Sequence, residues 1–201
     1  MSTTYNDLVS NIKTWCGRTD SQTINAIPQF IAAAQTALDN GLRIGSMIVT
    51  TDYAADALSV DVSDYLEISS VTIAGLVGTS TTYGDITGLR AVINQRPEIS
   101  GYDFHYAMNG NAIELVKPGA VEVTGYQKPT RITSANQTNA YTDGAENALL
   151  WLSLYYCGMF SKDDAAASWQ QMAEAEINNL NNSRQQLAKT GTAKRKRHGY
   201  F

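Results

Sequence analysis

The stretch from Leu149 to Phe160 constrains the fold most. Leu149, Leu150, Trp151, Leu152, Leu154, Tyr155, Tyr156, Met159 and Phe160 fall on nearly every side of a helix. A helix that is apolar all round offers water no face and must be covered from more than one direction. The sequence supplies the covering elements. Tyr5, Leu8, Val9, Ile12, Trp15 and Cys16 recur at helical spacing and predict a helix over 4–16, with Thr3 or Thr4 as its cap and Gly17 as a left-handed stop. Ile27, Phe30, Ile31, Ala34, Leu38 and Leu42 predict a second helix over 26–43, with Pro28 in its first turn. Asp143 followed by Glu146 has the spacing of a capping box and opens the apolar helix over 144–160. Ser161, Asp163 and Asp164 then break the chain. Trp169, Met172, Ala173, Ile177, Leu180 and Leu187 mark the stripe of a last helix over 163–187.

Between these helix pairs, from 49 to 133, the period changes to that of strands. Leu58, Val60 and Val62 alternate with polar neighbours, Ile68, Val71 and Ile73 form a second run, and 111–116 and 121–126 flank a Pro118-Gly119 turn. The segment reads as a small antiparallel β unit, and the Thr-, Ser- and Gly-rich stretch from Gly75 to Gly88 as a mobile loop or long hairpin tip. The expected class is α+β: an antiparallel helical bundle of two N-terminal and two C-terminal helices, an inserted β unit, and an extended C-terminal arm. Residues 1–188 form a single domain in this reading, and residues 189–201 are the arm.

Charge is sorted along the chain. The net charge is −4, yet no Asp or Glu follows Glu176, and Arg184, Lys189, Lys194, Arg195, Lys196 and Arg197 give that end a formal +6. The rest carries nine basic residues against nineteen acidic ones, a formal −10. Closely spaced like charges resist compact folding unless a partner of opposite sign receives them. Lys194, Arg195, Lys196, Arg197, His198, Tyr200 and Phe201 are therefore the candidate partner-binding residues: cations for an acidic or phosphate surface, and two rings for stacking or an apolar pocket. DNA is one candidate partner, confined to the arm because the acidic body repels a duplex. An acidic protein groove ending in an apolar pocket fits the same arm.

Catalysis has little to work with. The two histidines, His105 and His198, lie far apart in sequence, and the two cysteines, Cys16 and Cys157, sit in apolar helical patterns as small buried hydrophobes. No phosphate loop, nucleophile elbow, His-Glu-x-x-His helix or Cys-x-x-Cys pair occurs. The paired carboxylates Glu174 with Glu176, and Asp163 with Asp164, read as solvated helix surface. No catalytic residue, metal ligand or cofactor is expected. No apolar run approaches the roughly 20 residues of a membrane span, and the first residues lack the features of a signal peptide, so the chain is expected to stay where it is made.

Thr4 to Trp15 and Ile27 to Arg43 together resemble the opening of the head-to-tail adaptor (connector) proteins of tailed bacteriophages. Val62 to Ile73 is similar to the family's strand after a Pro/Asp-Phe-Leu-Glu segment, although Val62 or Ser63 stands where that Pro usually lies. Tyr106 to Leu115, Pro118 and Val123 to Tyr126 resemble its paired strands; Ala148 to Tyr156 with Asp163, Asp164 and Trp169 resemble its C-terminal helix pair. The resemblance implies a structural virion protein without enzymatic activity. It forms a ring, usually of twelve copies, under the portal vertex, its arm docks on the portal protein, and its other side meets a tail or nozzle protein. It implies a place in the neck of the virion and in the host cytoplasm during assembly, with contact to packaged DNA left open. Two alternatives stand beside it: a nucleic-acid-binding module using the basic arm, and an adaptor with added cell-wall hydrolase activity.

Overall fold

A computed structural model describes residues 3–54, 57–99 and 101–190. The chain is α+β and divides into two compact units, one made of residues 1–46 and 129–201, the other of residues 47–128.

The first unit is helical. Helix α1 (Tyr5–Cys16) opens with a full capping box: the Asp7 amide donates to the Thr4 hydroxyl, and the Asp7 carboxylate accepts from the Thr4 amide. It ends at Gly17, whose φ of 59° is the left-handed conformation that a residue without Cβ adopts freely. Helix α2 (Ser21–Gly41) starts five residues before the expected 26, because the Asp20 carboxylate accepts from the Thr23 amide at 2.8 Å. Pro28 thus lies inside the helix and not in its first turn. The hydrogen bond that Pro28 cannot donate is outweighed by burial of Ile27, Phe30 and Ile31 around it.

A short helix α4 (Ala140–Gly144) precedes the apolar helix α5 (Glu146–Ser161). The capping box expected at Asp143 and Glu146 does not form. Asp143 is already helical in α4, which Asn139 caps, and Ala145 at the start of α5 makes no side-chain cap. Glu146 instead accepts from the Thr3 hydroxyl at 2.6 Å. As its composition requires, α5 is covered from several directions: it packs against α1, α2, α4 and the last helix, α6 (Ala166–Thr190). Lys162 closes α5 with a φ of 54°, and α6 starts at Ala166, later than the expected 163.

The second unit holds two four-stranded sheets. Strands β1 (Ile48–Tyr53), β3 (Tyr65–Ile73), β4 (Leu76–Val77) and β8 (Val121–Gln127) form one, in the order β1-β8-β3-β4. Strands β2 (Ser59–Asp61), β5 (Thr79–Ser80), β6 (His105–Asn109) and β7 (Ala112–Leu115) form the other, in the order β2-β7-β6-β5. The alternation seen in the sequence sends Val60, Val62, Val71, Ile73, Ile113, Leu115, Val121 and Val123 into one shared core. Three expectations fail here. Pro118-Gly119 does not join paired strands, because β7 and β8 belong to different sheets, and β5 pairs with β6 in parallel. The stretch from Gly75 to Gly88 is not a loop: it contains β4, β5 and the start of helix α3 (Tyr83–Gln95). A Thr82–Asp85 capping box opens α3, and Ile86, Leu89 and Ile93 anchor it over Ala107 and Val116. Gly84 and Gly88 hide this helix from a reading by propensity.

Candidate interaction surfaces

The predicted partner-binding residues Lys194, Arg195, Lys196, Arg197, His198, Tyr200 and Phe201 lie outside the described residues. What the structure places is the helix that leads to them. α6 is seated on α5 at Gly158, where an added Cβ would come within 2.9 Å of both the Ala166 Cβ and the Trp169 ring. Further along, the Asn181 amide group donates to the Gly41 carbonyl at 2.9 Å, while its side-chain oxygen accepts from the Arg43 amide at 3.3 Å. Two anchors 12 to 15 residues apart along α6 therefore fix its direction within this unit. The stripe residues differ in depth: Trp169 and Ala173 are buried, Ile177 and Leu180 half-buried, and Met172 exposed.

A polar cluster within the same unit ties the irregular segment 129–139 to α2. The Gln35 side-chain oxygen accepts from the Ile132 amide at 2.9 Å and from Asn139 at 3.3 Å. Asp39 accepts from the Tyr141 hydroxyl at 2.7 Å through one oxygen and from Arg131 at 2.7 Å through the other. Burial, followed by the Asp39 carboxylate, pushes the Tyr141 phenol well above its ordinary range. Sequence reading missed this cluster, although Gln35 and Asp39 stand four apart on the apolar face of α2 and signal a buried polar pair.

The second unit presents a different surface. It carries ten acidic residues against four basic ones. On the sheet containing β1, Asp52 lies directly across from Glu122, which in turn lies across from Thr72 and accepts from its hydroxyl at 3.0 Å. The next outward row pairs Thr50 with Thr124, hydroxyl to hydroxyl at 2.8 Å. Beside this face a shallow cavity of about 380 Å³ is lined by Asp52, Tyr53, Thr72, Gly75 and Glu122, among others. Burial, with smaller contributions from Tyr65, Asp64 and Asp61, holds the Tyr53 phenol above its ordinary value. Leu76 and Val77, on the edge strand next to β3, are 54% and 80% exposed.

Among the described residues no group of three or more His, Cys, Asp or Glu side chains is placed to hold a metal ion. Cys157 is buried, and burial, followed by the neighbouring Cys16, pushes its thiol up to about 12, while Cys16 is half-buried and not fully buried as expected. No described helix is long and apolar enough to cross a membrane.

A family model described as SU10 adaptor protein matches residues 3–197, nearly the whole chain and part of the basic end. The chain belongs to the SU10 adaptor protein family. The adaptor is thus a structural protein of a bacteriophage, in agreement with the head-to-tail adaptor resemblance carried by its helix and strand motifs. No individual curated protein matches the adaptor's sequence.

Proposed function

We propose that the adaptor assembles as a ring between portal and tail, with residues 1–188 as its body and residues 189–201 as an arm that docks on the portal protein. The tail side meets a tail or nozzle protein. The observation that carries this reading is the family match through residue 197, taken with the segregation of charge that puts +6 after Glu176. Lys194, Arg195, Lys196 and Arg197 provide ion pairs to an acidic portal groove, while Tyr200 and Phe201 provide buried rings. His198 adds a further donor. Its contacts with the partner offset the entropy lost on docking.

The test is a chain truncated after Ala188, compared with the full chain for binding to purified portal, with circular dichroism as the control for folding. Binding should be lost while the helical signal persists. A truncated chain that still binds would refute the docking role of the arm.

A further inference from the structure

The outer edge of β1 is unpaired among the described residues, since β1 ends its sheet and bonds only to β8. It is a six-residue strand without Pro, Lys or Arg, and the register irregularities of its sheet fall on β3. Proteins ordinarily protect such an edge with a lysine, a proline or a bulge, because its free amides and carbonyls will accept another strand. The four strands of this sheet contain three acidic residues, Asp52, Glu67 and Glu122, and no basic one. Directly opposed like charges such as Asp52 and Glu122 destabilise a sheet, and an incoming cation relieves the repulsion.

We propose that this edge and face receive the basic C-terminal segment after α6, residues 191–201, of a second copy of the chain before the adaptor meets its portal. This inference rests on the basic-arm reading above and names a second receptor for the same arm. Three features select this occupant. The first is charge complementarity, a unit with ten acidic and four basic residues facing a segment whose only charged side chains are the four cations Lys194 to Arg197, with His198 beside them. The second is length: the eleven residues after α6, 191–201, span at most about 40 Å when extended, while six strand residues cover about 20 Å. The arm can therefore lie along all of β1 with residues to spare. The third is Val77, 80% exposed on β4 and in register with Thr72, hence on the same face as Glu122 and Asp52, an apolar side chain suited to Tyr200 or Phe201. Strand addition supplies backbone hydrogen bonds, and the carboxylates set the preference for a cationic strand.

Carbodiimide coupling, which joins lysine amines to nearby carboxylates, tests this on the full chain. An equal mixture of unlabelled and ¹⁵N-labelled protein should give mixed-isotope cross-links from Lys194 or Lys196 to Asp52 or Glu122. These should diminish in 1 M salt, where the screening length is about 3 Å. In the double variant Asp52→Asn, Glu122→Gln, the overall self-linking of Lys194 and Lys196 should fall while circular dichroism is unchanged. Same-isotope links alone, no links to these two carboxylates, or undiminished self-linking in the variant would each overturn the proposal. Portal binding of that variant should match the full wild-type chain, so that failure here and failure of the portal reading are separately visible.

Discussion

Gly125 shows how one residue sets local geometry. It lies on β8 opposite the stretch of β3 where the register slips, and a Cβ built there would collide with the Glu67 carbonyl oxygen and approach the Ile68 Cα to 3.0 Å. Backbone cannot move aside as a flexible side chain can. Gly125→Ala should therefore destabilise the chain by about 1–3 kcal/mol, measured by urea denaturation. Tyr141 is the counterpart in the helical unit. Removing its hydroxyl leaves Asp39 without one of its donors, and Tyr141→Phe should cost about 1.5–3 kcal/mol, the range for a hydrogen bond to a charged group. Its folded pKa is raised above the ordinary 10.0, so its contribution is complete below that value and is lost as pH rises toward the folded pKa. Stability of the wild type measured above pH 10 should fall more steeply than that of Tyr141→Phe.

At the scale of elements, what was legible depended on whether the deciding contact was local. The spacing of Tyr5, Leu8 and Ile12 and the stop at Gly17 identified α1 nearly to the residue, because cap and stripe lie within the same short segment. α3 stayed hidden: its glycines depress helix propensity, and the burial of Ile86 and Ile93 that overrides them comes from β6 and the residue after β7. The Asp143 box failed for a related reason, since Asn139 caps a helix that begins one turn earlier and already contains Asp143. Caps also give an acid signature. Thr4 hydrogen bonds hold the Asp7 carboxyl below 3.8, and Thr82 and Thr81 do the same for Asp85. These depressed carboxyls contribute stability above 3.8 and lose it as pH falls through their folded values. The double variant Asp7→Asn, Asp85→Asn should thus show a shallower loss of thermal stability on acidification than the wild type, followed by circular dichroism between pH 5 and 2.

For the whole molecule, the sorting of charge has consequences that no single element carries. An arm that docks through its cations is screened by salt, with a screening length near 10 Å at 0.1 M and near 3 Å at 1 M. Affinity of the full chain for portal should drop markedly across that range in a titration. An affinity that salt leaves unchanged would transfer the binding role to Tyr200 and Phe201. The candidate surfaces were legible unequally. The arm was visible because charge is a property of composition, whereas the acidic face needed the register that sets Asp52 against Glu122.

The sequence by itself determined the α+β class, the multiply covered helix around Leu149 to Phe160, the segregation of charge and the adaptor resemblance. Each of these depends on residue type at short spacing. Only the tertiary structure decided which strands share a sheet, that Gly84 and Gly88 sit in a helix, and that Gln35 and Asp39 bind the segment after Pro129. Those choices rest on contacts between residues up to about a hundred positions apart, whose free energies local periodicity does not encode.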